Sequence, residues 1–249
     1  MAEIRYDGAD AGSIARRCGV PRVDLHDTVA STLDVAHGLA AAGALPGTLV
    51  LADRQTAGRG RAGRSWTSAR GAGIWMTIIE RPVDSAATGV LALRIGLALA
   101  PALDSFAGAP VRLKWPNDLW VHERKLAGVL VEARWRQGAI EWVAIGIGIN
   151  VRAPEGIDTA TGLVSGTGRV DVLGAVVPAV RAALELRGEL TAGELAAFAV
   201  RDLAVGRLIV EPAIGTVLGV AADGALEVQT AAGVSECRVG SLVFAPDAL

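Results

Sequence analysis

The sequence predicts an α+β protein in two units, a larger mixed domain over residues 1–203 and a small all-β domain over residues 204–249. Three observations carry that prediction. At 249 residues the chain is long for one small domain and suits a larger unit with a smaller one beside it. Up to Leu203, β-rich runs alternate with apolar stretches at helical spacing, whereas beyond Ala204 only short β segments and glycine-rich turns remain. Hydrophobic residues at 51% and charged residues at 20% describe a protein with a packed core and exclude a wholly disordered one.

Taken in order, Val23-Asp24-Leu25 begins a short strand. Ser31-Thr32 precedes a helical pattern of Leu33, Val35, Ala36, Leu39 and Ala40, and either hydroxyl can cap that helix by accepting from a free first-turn N–H. Thr48 to Ala52 and Ile74 to Ile79 are strands on either side of an Arg-rich loop. Gly89 to Phe106 is apolar at helical spacing, and Pro101, which removes a backbone donor, predicts a kink or a break there.

Val111 to Trp115 is a strand ended by Pro116-Asn117-Asp118, and Leu119-Trp120-Val121 starts a hairpin arm that turns at His122-Glu123-Arg124. Leu126 to Ala133 and Glu141 to Val151 are β-rich. Val172 to Leu186 and Ala192 to Leu203 are helical, with Gly174 and Pro178 weakening the first. The β segments that follow are Arg207 to Glu211, Thr216 to Val220, Ala225 to Val228, Glu236 to Val239 and Leu242 to Ala245. Asp223-Gly224 marks a hairpin among them, and the set predicts a small barrel or sandwich.

A net charge of −2 argues against bulk affinity for nucleic acid. Cys18 and Cys237 cannot form a disulfide framework, which suits a reducing compartment. Met1 to Asp10 is polar, and uninterrupted apolar runs such as Ile95 to Leu103 are too short to cross a bilayer. These features predict a cytoplasmic protein with no membrane partner.

The strongest chemical signal is the loop Gln55-Thr56-Ala57-Gly58-Arg59-Gly60-Arg61-Ala62-Gly63-Arg64-Ser65-Trp66. Its glycines let a ligand approach the main chain, and its arginines offer forks that match phosphate or carboxylate oxygens. No Asp or Glu between Asp53 and Glu80 neutralises them locally, so the loop is suited to an anion. A solvated loop and an RNA-binding Gly-Arg segment are the competing readings, but such RNA-binding segments are long and repetitive, and this one is short and framed by strands.

Other motifs bear on chemistry. Lys125 opens a strand just after a turn, where a ligand can reach its ammonium, and Gly128 allows close backbone approach. Asp118, in Lys114-Trp115-Pro116-Asn117-Asp118, is a candidate Mg²⁺ ligand of the kind that shares the ion with phosphates. Gly146-Ile147-Gly148-Ile149-Asn150 is a strand thinned to admit a planar ligand, with Asn150 able to read a base or amide edge. It lacks a third glycine and a following helix, so it is no dinucleotide fingerprint. The histidines His26, His37 and His122 form no metal-like or triad-like cluster in sequence.

In this order and spacing, Ser31-Thr32, Gln55, Gly58 to Trp66, Lys114 to Asp118, Arg124 to Gly128 and Gly146 to Asn150 resemble the biotin protein ligases, from about Val23 to the C-terminus. The resemblance implies a catalytic domain like the class II aminoacyl-tRNA synthetases, followed by a small SH3-like β domain. It implies that ATP activates biotin as biotinyl-5′-AMP and that a lysine of a biotin carboxyl carrier domain then takes the acyl group. Carried over by motif, Ser31, Thr32, Leu33, Gln55, Gly58, Arg59, Gly60, Arg61, Lys125 and Gly128 would bind biotin. Arg59, Arg61, Arg64, Trp66, Asn117, Lys125 and Asn150 would bind ATP, with Trp66 and Asn150 beside the adenine.

Lys125, Arg59 and Arg61 would be catalytic, and Asp118 would meet Mg²⁺. Leu33 stands where many members carry Asn and can offer only packing or its backbone. The residues ahead of Val23 are too few for the winged helix-turn-helix of the dual-function members, so no DNA partner is expected. The expected state is a monomer or weak homodimer. The arginine loop is expected to be mobile when free and to order over the adenylate. A lipoate-protein ligase, with the same acyl-adenylate chemistry, is the alternative.

Overall fold

The structure, a computed structural model, describes residues 4–81, 84 and 86–246. A seven-stranded sheet runs in the order β1-β2-β3-β7-β6-β5-β4. Its strands are β1 (Val23–Val29), β2 (Thr48–Gln55), β3 (Gly73–Glu80), β4 (Arg112–Lys114), β5 (Asp118–Val121), β6 (Arg124–Arg136) and β7 (Ala139–Asn150). β1 and β2 are parallel, joined by α2 (Thr32–Ala41) as a crossover, and every other pair is antiparallel. All the strands expected in this region are present, most of them longer than the hydrophobic pattern suggested.

The strands' alternation sends side chains to two different cores. Leu49, Leu51, Ile78 and Ile145 face a large core, while Val50, Ile79 and Ala144 face a smaller one made with Leu33, Ala36 and Ala40 of α2. The large core is closed by α3 (Ala86–Ala107), α4 (Arg169–Ala183), α5 (Ala192–Arg201) and α1 (Ala11–Cys18). Each fully buried Leu or Ile contributes about 1.5–3 kcal/mol through loss of apolar surface from water.

α1 is absent from the sequence-based expectations. Its ends are well formed: Asp10 Oδ1 accepts from the Ser13 N–H at 2.8 Å, and Gly19 closes it at φ 63°. Only Ile14 and Cys18 are buried, so an eight-residue helix left almost no apolar periodicity to detect.

Of the kink or break expected at Pro101, the break does not occur. α3 runs through it unbroken, because Leu99, Ala100 and Leu103 are wholly buried while Pro101 faces outward, and that packing offsets the lost hydrogen bond. The helix also outruns the apolar run seen in the sequence. Ala87–Ala107 is long and apolar enough by length and composition to cross a bilayer, yet half of its apolar window is buried inside the protein.

A second sheet, ordered β11-β10-β9-β8-β12, is five-stranded and antiparallel. It comprises β8 (Leu208–Glu211), β9 (Gly215–Val220), β10 (Leu226–Thr230), β11 (Gly233–Cys237) and β12 (Val243–Phe244). β11 begins ahead of the expected Glu236, because Thr230 pairs with Gly233 across a tight turn. The Asp223-Gly224 hairpin forms as expected, with Gly224 at φ 86°. It abuts the first sheet's helices: Trp115 Nε1 donates to the Gly224 carbonyl at 3.0 Å, and Val90 and Leu93 pack beside Gly224.

Candidate active site

Above the middle of the first sheet lies a cavity of ≈ 160 Å³. Its wall is built from the N-terminus of α2, the arginine loop, the β4–β5 turn, the facing parts of β6 and β7, and Ser241 and Leu242 from the second sheet's region. Ser31, Thr32, Leu33, Gln55, Arg59, Gly60, Arg61, Arg64, Trp66, Asn117, Asp118, Lys125 and Gly128 all line it. Residues far apart in sequence thus meet in one place. Gly58 and Asn150 do not line it.

One end is polar and tightly wired. Ser31 caps α2, its Oγ accepting from the Leu33 N–H at 3.3 Å, and the hydroxyl is 1% exposed. Thr32 donates from its N–H at 2.8 Å and its hydroxyl at 3.1 Å to Gln55 Oε1. Gln55 Nε2 donates to Ser68 Oγ at 2.8 Å, and the Thr77 hydroxyl donates to Thr32 Oγ1 at 2.9 Å. Such a network holds its polar groups in fixed directions, which is what recognition of a polar ligand head requires.

The glycines explain the floor. Gly128 and Gly148 are register partners across β6 and β7, and the indole of Trp66 lies over their bare backbone. A Cβ on Gly148 would come 2.6 Å from Trp66 Cε2, and one on Gly146 would come 3.1 Å from Leu33 Cδ1. The strand expected to be thinned for a planar ligand is therefore thinned for the chain's own Trp66 and Leu33. Gly58 is required elsewhere: a Cβ there would sit 2.5 Å from the Trp66 carbonyl, and the Gly58 carbonyl accepts the Trp66 N–H at 2.8 Å. It shapes the loop from outside the cavity.

Arg59 is opposed after all, by carboxylates distant in sequence. Arg59 lies 3.0 Å from Asp34 and 3.2 Å from Glu132. Arg61 donates to Asn117 Oδ1 and to the Gly240 carbonyl, both at 3.4 Å, and Arg64 donates to Ser241 Oγ at 2.6 Å. Burial pulls the Arg61 guanidinium below its ordinary value, with Asp118 acting in the opposite direction. The loop is a short 3₁₀ turn, Arg61–Gly63, closed by Gly60 N–H to the Arg64 carbonyl at 2.7 Å.

Lys125 Nζ stands 2.7 Å from Asp118 Oδ1 and 5.0 Å from the Trp66 ring centroid. Its main chain is pinned, the N–H donating to the Thr159 carbonyl at 2.8 Å and the carbonyl accepting from Thr161 at 2.9 Å. Asn150, 4% exposed, turns its Nδ2 toward that same Lys125 carbonyl at 3.5 Å, so it faces the strand that carries Lys125 rather than the cavity. Asn117 braces the β4–β5 turn by donating to the Val129 carbonyl at 2.7 Å.

Asp118 is the one carboxylate among the residues lining the cavity, and no cluster of three or more metal-ligating side chains exists among the described residues. That donor set fits a cation shared with phosphate oxygens and does not fit a resident, fully protein-ligated ion.

Lys114 is a lining residue that the site expectations did not include. Its ammonium sits 4.5 Å from the Trp120 ring and 5.0 Å from the Phe244 ring, and burial pulls its pKa below the ordinary lysine value. The Lys114 to Asp118 motif pointed to it. Nothing in the sequence pointed to Ser241 or Leu242, because their place depends on how the second sheet packs.

Residues 28–150 match the model of the Biotin/lipoate A/B protein ligase family. The chain is 43% identical over 127 residues to the bifunctional ligase/repressor BirA of Bacillus subtilis, covering 51% of this chain and 39% of that protein. It is 40% identical over 126 residues to the biotin--[acetyl-CoA-carboxylase] ligase of Mycobacterium tuberculosis, covering 48% and 46%. The chain thus spans half or less of the length of these relatives.

Among solved structures, the biotin protein ligase of Aquifex aeolicus in complex with biotin and ATP superposes with a TM-score of 0.72 at 28% identity, covering 88% of this chain and 97% of that one. The Leishmania major enzyme in complex with biotinyl-5-AMP superposes with a TM-score of 0.61 at 27% identity, covering 87% and 98%. The fold is the α+β one expected, a class II aminoacyl-tRNA synthetase-like domain with a small SH3-like β domain. Motifs, fold and the match over residues 28–150 agree: these residues form a domain of the biotin/lipoate A/B protein ligase family.

Proposed function

We propose that the chain is an ATP-dependent biotin protein ligase with its active site in the cavity described above. The observation that carries this is the joining, in one cavity, of a fixed polar end at Ser31, Thr32 and Gln55 to a cationic floor at Lys114, Lys125 and Arg61. A vitamin with a polar ureido head and a carboxylate tail needs both, the head for recognition and the tail for activation. The solved ligases with biotin, ATP or biotinyl-5-AMP bound favour biotin over the lipoate alternative.

In the first step a biotin carboxylate oxygen attacks the α-phosphorus of ATP, the bond to the β-phosphate breaks, and pyrophosphate leaves. Two anions must approach, so the barrier falls mainly by charge neutralisation. Lys125, Arg59 and Arg61 supply it, and Lys125 is placed by its pinned backbone. No general base is needed, because the carboxyl is already ionised at neutral pH. A Mg²⁺ ion entering with the phosphates would be held by Asp118 and would neutralise phosphate charge.

Trp66, Asn117 and Arg64 serve the nucleotide, and Asn150 serves it through the Lys125 strand. In the second step the unprotonated lysine amine of a carrier domain attacks the acyl carbon and AMP leaves. The acceptor is the biotin carboxyl carrier domain of a carboxylase. We assign residues 1–203 to the catalytic unit and 204–249 to the β unit, and place the protein in the cytoplasm as a monomer or weak homodimer. The test is ATP–pyrophosphate exchange with biotin or lipoate as the acid. Biotin-dependent exchange is expected, and exchange with lipoate alone would replace this reading with the alternative.

A further inference from the structure

Behind Arg59 a chain of hydrogen bonds ends on a histidine whose proton position its neighbours dictate. Trp142 Nε1, which can only donate, lies 2.9 Å from His37 Nδ1, so that nitrogen carries no proton. His37 Nε2 lies 2.8 Å from Glu132 Oε2, an acceptor, so this nitrogen carries the proton. The imidazole is therefore neutral, with one defined tautomer. The same Glu132 oxygen accepts from Arg59 Nη2 at 3.2 Å, and Asp34 Oδ1 lies 3.0 Å from that nitrogen. Both carboxylates hold one terminal nitrogen, and the other N–H groups of Arg59 make no hydrogen bond to the described residues.

We propose that Trp142, His37 and Glu132 form a positioning relay that holds Arg59 by one terminal nitrogen at the cavity rim and leaves the rest of its guanidinium free for the anionic group of the bound substrate. The relay joins β7, α2 and β6 to the arginine loop. It rests on the ligase reading, in which that anion is the biotin carboxylate. Trp142 is 6% exposed, with the Arg81 guanidinium 5.9 Å from its ring centroid and His37 at its Nε1 edge.

The charged groups around His37 are Glu132 from β6, Arg59 from the loop, Asp34 from its own helix and Arg81 beyond Trp142. A second proton on His37 would set an N–H against the indole N–H. The resulting cation would also compete with Arg59 for Glu132. Trp142 thus keeps the relay in one state while the surroundings change.

Nitrogen-15 NMR of His37 in the free wild-type protein and in Trp142→Phe reads the tautomer without catalysis. The wild type should show the neutral Nε2–H form, whereas Trp142→Phe, which removes the donor facing Nδ1, should populate the Nδ1–H form as well. Biotin Kd, measured by calorimetry, should be about threefold to fivefold higher in Trp142→Phe than in the wild type. An Nδ1–H tautomer in a wild type that binds biotin would overturn the relay alone. So would a wild-type biotin Kd in a Trp142→Phe protein whose His37 has lost its single tautomer. Failure of the wild type to bind biotin at any pH would instead overturn the ligase reading.

Discussion

Gly148 lies beneath the indole of Trp66 so closely that a Cβ at 148 would meet Cε2 and Nε1 at 2.6 Å. β7 is held in register by β3 and β6 on either side, so the backbone cannot yield and the indole must leave. Gly148→Ala should cost about 1–3 kcal/mol of stability. It should also weaken ATP binding more than biotin binding. Displacement of the indole, read by tryptophan fluorescence, with ATP affinity unchanged would take Trp66 out of the nucleotide assignment.

Lys125→Ala should slow adenylation about a hundredfold, the typical effect of losing one preorganised charge that meets the transition state. Its ion pair with Asp118 is partly solvated, with side-chain exposures of 29% and 22%, so the stability loss should stay within about 1 kcal/mol. Lys125→Arg should rescue poorly, since a planar fork cannot replace a compact charge. Single-turnover rates beside melting temperatures separate the two effects. Wild-type turnover in Lys125→Ala would return this lysine to a plain turn residue.

Arg59, Arg61 and Arg64 tether their loop through side chains only, to Asp34, Glu132, Asn117 and Ser241. The ion pairs of Arg59 are partly exposed and therefore weak, and Arg61 and Arg64 bond only neutral acceptors. Biotin with ATP should therefore raise hydrogen-exchange protection across residues 58–66 well above the free state. Equal protection in both states would mean that the loop is already fully ordered without substrate.

Arg94, 1% exposed, donates to Glu194, which also closes the capping box of α5 with Thr191. The Arg94 hydrogen bond holds the Glu194 carboxyl below its ordinary value, although burial opposes this. A depressed folded-state pKa contributes stability that is present above the unfolded value of about 4.3 and lost as pH falls through the folded one. Melting temperature should therefore drop below about pH 4. Glu194→Gln should lose about 3 kcal/mol of stability at pH 7 and show a shallower acid limb. An acid limb as steep as that of the wild type would remove this pair from the acid response.

The strands of the first sheet were legible because alternation and β-branched runs mark half-buried and buried strands directly, as at Ile74 to Ile79. α1 was not, since only two of its side chains are fully buried. Lys125, Gln55 and the arginines announced themselves by motif, whereas the counter-charges Asp34 and Glu132 did not. Those come from α2 and β6, and only the fold brings them to the loop. His37 was legible as a helix residue, but its partners lie on strands distant in sequence. Ser241 reaches the cavity through packing between the two sheets, which no local pattern encodes.

On the proposed reading, this cavity joins biotin to a lysine of a carrier domain. The most direct test is intact-mass spectrometry of a biotin carboxyl carrier domain incubated with the protein, biotin and MgATP. A biotin ligase should give a mass increase equal to one biotin less one water, dependent on ATP and abolished when the acceptor lysine is replaced by arginine. No increase with biotin, or an increase only when lipoate takes its place, would contradict it.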